Sequence, residues 1–207
     1  TMTSPGNASL FGSLSMVTVG SGATDNGPNQ RAVFLGGTRT GDTNDVIDYI
    51  TVSTLGDAFD FGNLINTSAV YCNALSNGVN DRGIRVGGSS VNNLEYVTIS
   101  TPSDAIDFGD MFAAGLHTAC LSNDTNERGI IAGGTRPSQT NVIDFITISS
   151  PGNSLDFGDV TGINLNESPS SVSNGRGERA VLHGSYPVDA TMEFVTINSP
   201  GNSINFG

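Results

Sequence analysis

The chain has 207 residues, with 8 Lys and Arg against 20 Asp and Glu and a net charge of −12. So few cations exclude a nucleic-acid partner as the working assumption, because phosphate contacts need clustered Lys or Arg; the acidic balance favours solubility and suits cations without naming one. No stretch approaches a membrane span, no signal peptide is visible and no helical 3.6 period is sustained, so membrane insertion is not expected.

In chain order, TMTSPGNASLFG (1–12) is a truncated copy of a phrase that returns in full four times. The full copies are IDYITVSTLGDAFDFG (47–62), LEYVTISTPSDAIDFG (94–109), IDFITISSPGNSLDFG (143–158) and MEFVTINSPGNSINFG (192–207). Their Phe-Gly endings at Gly12, Gly62, Gly109, Gly158 and Gly207 step by 50, 47, 49 and 49 residues. The chain therefore divides into a partial repeat, 1–12, read as an overhanging strand, and four units: 13–62, 63–109, 110–158 and 159–207.

Each unit begins with a small-residue strand, around 13–24, 65–76, 112–121 and 164–172, expected to line an axis where units converge. A turn follows (DNGPNQ, SNGVND, SNDTNE, SNGRGE), then a second strand: RAVFLGG (31–37), RGIRVGG (82–88), RGIIAGG (128–134) or RAVLHGS (179–185). A connection of variable length leads to the third strand, where an acid and an aromatic are adjacent and alternation places them on opposite faces. A Pro-Gly-Asn type turn returns the chain into the fourth strand, which ends in Phe-Gly. From the third-strand aromatic to the fourth-strand Phe is 12 residues in every unit: Tyr49 to Phe61, Tyr96 to Phe108, Phe145 to Phe157, Phe194 to Phe206. That constancy predicts a fixed hairpin with Phe61, Phe108 and Phe157 buried between units.

Four antiparallel strands repeated about every 49 residues predict an all-β β-propeller of four-stranded antiparallel blades. The di-glycines Gly36–Gly37, Gly87–Gly88 and Gly133–Gly134, with Gly184–Ser185 as a degenerate copy, followed by two spaced aromatics, resemble the kelch repeat. The chain departs from that pattern in having no Trp and a wider aromatic spacing. The wording IDYIT…DFGD and RGIIAGG is similar to kelch-like repeats encoded by tailed bacteriophages. That resemblance implies a virion or tail-associated protein, whose partners would be other virion proteins or copies of itself. Residues 1–12 duplicate a strand that 201–207 already supply, so the functional object is expected to exceed this chain, as a longer array or a homo-oligomer.

Candidate chemistry is sparse. DFG occurs three times, at 60–62, 107–109 and 156–158, without a phosphate loop or catalytic-loop motif, so its Phe is read as core and its Asp as turn or edge. Arg31, Arg82, Arg128 and Arg179 recur once per unit, as do Asp48, Glu95, Asp144 and Glu193. The acids could form a metal ring or acid–base pairs, but equal numbers of Arg and acid favour one structural bridge per blade. Cys72 and Cys120 read as small buried thiols, and His117 and His183 occupy different places in their units, which disfavours zinc or an oxidase-type copper site. The Asp/Asn-rich turns at 40–45 and 123–127 suggest calcium but lack its full ligand pattern, so no cofactor is expected beyond that.

Diversity concentrates in the connections after the glycines, where Arg39, Asp42, Asn92, Arg136, Gln139, Tyr186 and Asp189 are candidate binding-loop residues. Two functions follow as expectations. One is a non-enzymatic virion component that assembles the particle or contacts the host surface. The other is a secreted or cell-surface glycan-binding propeller, for which Tyr186 is the single loop aromatic.

Overall fold

A computed structural model describes residues 6–39, 45–89, 91–135, 141–163, 165, 169–184 and 190–207. A short pair, β1 (Thr18–Val19) with β4 (Thr38–Arg39), flanks the first of four four-stranded antiparallel sheets. Blade 1 is β2 (Gly22–Asp25), β3 (Arg31–Leu35), β5 (Val46–Thr51) and β6 (Phe59–Asn63). Blade 2 is β7 (Asn73–Ser76), β8 (Arg82–Val86), β9 (Asn93–Thr98) and β10 (Ile106–Asp110). Blade 3 is β11 (Ala119–Ser122), β12 (Arg128–Ala132), β13 (Val142–Thr147) and β14 (Leu155–Asp159). Blade 4 is β15 (Ser170–Ser173), β16 (Arg179–His183), β17 (Met192–Thr196) and β18 (Ile204–Asn205). The chain is all-β, and the sheets are arranged like propeller blades, each pairing its strands in sequence order. The first strands of successive blades lie against one another, β2 on β7, β7 on β11 and β11 on β15. Each is four residues long, shorter than expected, and most of the lead-in to it is loop.

Two faces of each blade follow from strand alternation. On one, the aromatic face, Tyr96 stands opposite Ile84; on the other, the acid face, Glu95 stands opposite Arg85. The aromatic face of each blade packs on the acid face of the next. Val33, Ile47 and Phe61 meet Val97 and Ile99; Ile84, Leu94 and Phe108 meet Ile131, Ile146 and Ile148; Ile130, Ile143 and Phe157 meet Leu182, Val195 and Ile197. Phe61, Phe108 and Phe157 are buried as the spacing predicts, each removal from water stabilising by about 1.5–3 kcal/mol. The 12-residue interval sets an edge-to-face ring pair with centroids 6.0 to 6.2 Å apart in all four blades.

The Phe-Gly ending has a backbone cause. Gly62, Gly109 and Gly158 sit at φ of +143°, +138° and +147°, beside the irregularity that lets the fourth strand slip one residue against the third in each of these blades. A Cβ there would lie 2.5 to 2.6 Å from backbone of the next blade's hairpin turn, at Ser103, Gly152 and Gly201. The close approach is a hydrogen-bonded tie: Ala105 N–H donates to Asn63 O, Ser154 N–H to Asp110 O and Ser203 N–H to Asp159 O. Residues 11–13 make the same tie to blade 1, through Gly56 N–H to Phe11 O and Ala58 N–H to Ser13 O. The truncated repeat thus stands where a preceding blade's fourth strand would stand.

Candidate functional site

The repeated charged residues are the first candidates, and the structure corrects their pairing. Arg31, Arg82, Arg128 and Arg179 do not bridge to Asp48, Glu95, Asp144 and Glu193, because the two sets lie on opposite faces of each blade. Each guanidinium instead lies over the third-strand aromatic, 4.4 Å from the ring centre of Tyr49 and Tyr96 and 4.6 Å from that of Phe145 and Phe194. In three blades it also donates to a carbonyl of the next blade: Arg31 to Ile99 and Ser100, Arg82 to Ile148, Arg128 to Ile197. The arginine is a clamp between blades.

The acids are buried and hold the lead-in to their own blade's first strand. Asp48 accepts from the Ser15 amide at 3.1 Å and its hydroxyl at 2.7 Å; Glu95 accepts from the Ile65 and Asn66 amides; Glu193 accepts from the Thr161 amide and hydroxyl and from the Ser203 hydroxyl. A carboxylate in this position satisfies donors that would otherwise be stranded beneath the loop. Asp144 is buried at the equivalent place in blade 3.

Blade 2 adds a residue that sequence reasoning passed over. Arg85 takes the place held by Phe34, Ile131 and Leu182 in the other blades, is fully buried, and pairs with Glu95 while donating to Gly87 O. Its signal was present: a charge in RGIRVGG where the sister strands carry apolar residues. The turn asparagines were also missed as a set. In each blade the side-chain oxygen of Asn26, Asn77, Asn123 or Asn174 accepts the arginine amide at 2.8 or 2.9 Å. Those oxygens close a single 3-10 turn whose last residue, Gln30, Asp81, Glu127 or Glu178, is left-handed. Three of these asparagines also donate into a neighbouring blade, to Asp81, Glu127 and Asn198.

Among the binding-loop candidates, Asn92 is half-buried and its backbone and amide clasp Met111. Arg39 closes β4, its side chain being outside the described residues, as are Asp42, Arg136, Gln139, Tyr186 and Asp189. Residues 40–44 of the first calcium-like turn also lie outside them. In the second, Glu127 is bound by Asn77 and Asn80 and Asp124 faces Arg176 at 3.5 Å, so the turn's acids already hold the scaffold. Among the described residues no three His, Cys, Asp or Glu side chains gather as a metal cluster. Asp60, Asp107 and Asp156 of the DFG triplets are exposed on fourth strands.

Cys72 and Cys120 are both thiols. Cys72 donates to Leu35 O, and burial pushes its pKa up, the Arg85 charge opposing this to a lesser extent. His117 stacks on Tyr71 with ring centres 4.6 Å apart, both at positive φ, and Tyr71 fits against the space left by Gly20. No protein-family model matches the chain, and no curated protein is detectably similar to it.

Proposed function

We propose that the chain is a non-enzymatic structural and interaction module: a kelch-like propeller component of a tailed-phage virion that assembles the particle or contacts the host surface. The observation that carries this reading is what the repeated charges do. Arginine and acid recur in every blade; all four arginines lie over aromatic rings, three also reach a carbonyl of the next blade, and Asp48, Glu95 and Glu193 hold the loops. Catalytic carboxylates are set apart from one another by environment, whereas these repeat the same scaffold task.

The topology supports a presenting role. The connection between second and third strands leaves the same end of every blade, and its sequence varies while the framework is nearly constant. Loops carried by a rigid scaffold are where recognition is usually placed. The proposed partners are other virion proteins, copies of this chain and a host-surface glycan. The proposed location is the extracellular particle.

Antibody labelling of purified particles tests the reading, with label at the tail or capsid surface as the expected result. Particles that never carry label, while the protein is found secreted or on a cell surface, would refute it. In that case the second reading, glycan binding, gains from one observation: the Tyr71–His117 stack lies just ahead of the first strands, at the end where the variable loops emerge, and Tyr71 is exposed. A glycan array would then be expected to give hits that Tyr71→Ala abolishes.

A further inference from the structure

At two places the repeats part from their own pattern, both on the lead-ins to blades 2 and 3 and both at the end where the variable loops emerge. The first is the residue that turns the lead-in into the first strand, six positions ahead of the turn asparagine. It is left-handed in blades 1, 2 and 3: Gly20 at φ +72°, Tyr71 at +53° and His117 at +58°. Glycine adopts this backbone freely and a Cβ makes it costly, so Tyr71 and His117 hold rings here against local strain. The second is the residue four past the fourth-strand Phe. Blades 1 and 4 carry Ser15 and Thr161 there, whose hydroxyls donate to the buried acid. Blades 2 and 3 carry Ile65 and Phe112, which are 59% and 74% exposed.

Neither departure serves the core. Tyr71 is 40% exposed, and its stack with His117 stands at the entrance to the first strands. Blades 2 and 3 each have a neighbour on both sides, so these exposures belong to the loop end itself. The connection over blade 2, residues 89–92, is also the shortest of the four and shields least of the lead-ins beside it.

We infer that Tyr71, His117 and Phe112 bind a neutral saccharide, with the stacked pair as one station and Phe112, further back on the lead-in to blade 3, as a second. The chemistry selects this ligand class. A pyranose has a face of C–H groups that lies on an aromatic ring and a rim of hydroxyls that a phenol and an imidazole can hydrogen-bond. The three side chains carry no fixed charge and the whole chain carries −12, so an anionic ligand is repelled. An extended peptide would need a free backbone edge, and that edge is spent: Ser89 N–H donates to Val70 O, His117 N–H to Tyr71 O and Gly115 N–H to Val91 O. The inference rests on the glycan-contacting part of the proposed function, to which it gives residues and a ligand class; its failure would leave particle labelling to decide the virion reading separately.

Nuclear magnetic resonance on the full 207-residue chain is the test, because its two histidines give a probe and a reference. The methyl glycosides of glucose, galactose, mannose and N-acetylglucosamine are titrated in turn at one fixed pH. At least one is expected to shift the His117 ring signals saturably while those of His183, on blade 4, stay in place. Tyr71→Gly should abolish the shift and leave the melting temperature within about 3 °C, since Gly20 shows that the position accepts glycine. Phe112→Ala should weaken binding by roughly 2- to 10-fold at unchanged melting temperature, its ring being mostly in water already. A Tyr71→Gly protein that melts far lower makes that ring a packing element, and Phe112→Ala then decides alone. The inference is overturned if no glycoside moves His117, or if the shift is undiminished in the deciding variants.

Discussion

Blades 2 and 4 are written in nearly the same words and stand in different surroundings. Phe108 is buried against blade 3, whereas Phe206, at the same place in the phrase, is 47% exposed. Arg82 reaches the Ile148 carbonyl, and Arg179 has only the Phe194 ring. On their covered faces the two blades differ in chemistry: Glu95 meets Arg85, and Glu193 meets hydroxyls and an amide with Leu182 in the arginine's place. The lesson is that burial in this fold belongs to interfaces and not to blades. Stability is then close to a sum of nearest-neighbour terms, as in repeat proteins generally.

The largest effect should come from the covered faces. Glu95→Ala removes one member of a buried ion pair and the acceptor of two loop amides, so it should cost about 3–5 kcal/mol in urea unfolding. Replacing Arg85 by the leucine of blade 4 and Glu95 by its neutral isostere, Arg85→Leu with Glu95→Gln, removes both buried charges and keeps one of the two oxygens that accept the loop amides. That double variant should recover most of the loss, since apolar replacements of buried ion pairs are often neutral or better. If it is no more stable than Glu95→Ala, the difference between the blades is not one of charge.

Next is the phenylalanine pair. Phe108→Ala should cost about 3–5 kcal/mol because it opens a cavity between two blades. Phe206→Ala should cost less than about 1 kcal/mol in the monomer, because its ring is half in water already. Equal losses would mean that the Phe206 ring itself is covered in solution. The arginine pair follows with a smaller contrast. Arg82→Ala loses a ring contact and a charged hydrogen bond, about 1–3 kcal/mol together. Arg179→Ala loses the ring contact alone, about 0.5–1 kcal/mol.

Much of this was legible in the sequence for a physical reason: a repeated phrase fixes strand identity, and alternation fixes faces. Alternation alone places Glu95 and Tyr96 on opposite sides, and the constant spacing assigns Phe61, Phe108 and Phe157 to blade interfaces. The arginine pairing was misread because equal counts of Arg and acid say nothing about which face the arginine takes. Arg31 stands opposite Thr51, in line with Tyr49 and not with Asp48, and that register is a property of the paired strands. Arg85 was visible only as one odd letter in a strand otherwise apolar on that side. That Val52 is exposed and Ile99 buried could not be read from the two residues, which look alike in sequence and differ only in whether a neighbouring blade stands over them.

The smallest expected effect is a pH dependence at the first blade interface. Cys72 is buried there and donates to Leu35 O, and burial raises its pKa above the ordinary thiol range. The native state therefore keeps this proton at a pH where the unfolded chain has begun to release it. Folding binds the extra proton, so stability falls as pH rises above the unfolded thiol pKa of about 8.5. Below that pH the contribution is fully present, and it is lost progressively as pH climbs toward the raised native value. Urea melts at neutral pH and at stepped alkaline pH should show this decline, and Cys72→Ala should flatten it while leaving the remaining alkaline titration in place. Alkylation gives an independent reading: at neutral pH Cys120, which is only partly buried, should be modified first and Cys72 only on unfolding. An alkaline decline unchanged by Cys72→Ala would assign it to other groups and remove the thiol from the account of that interface.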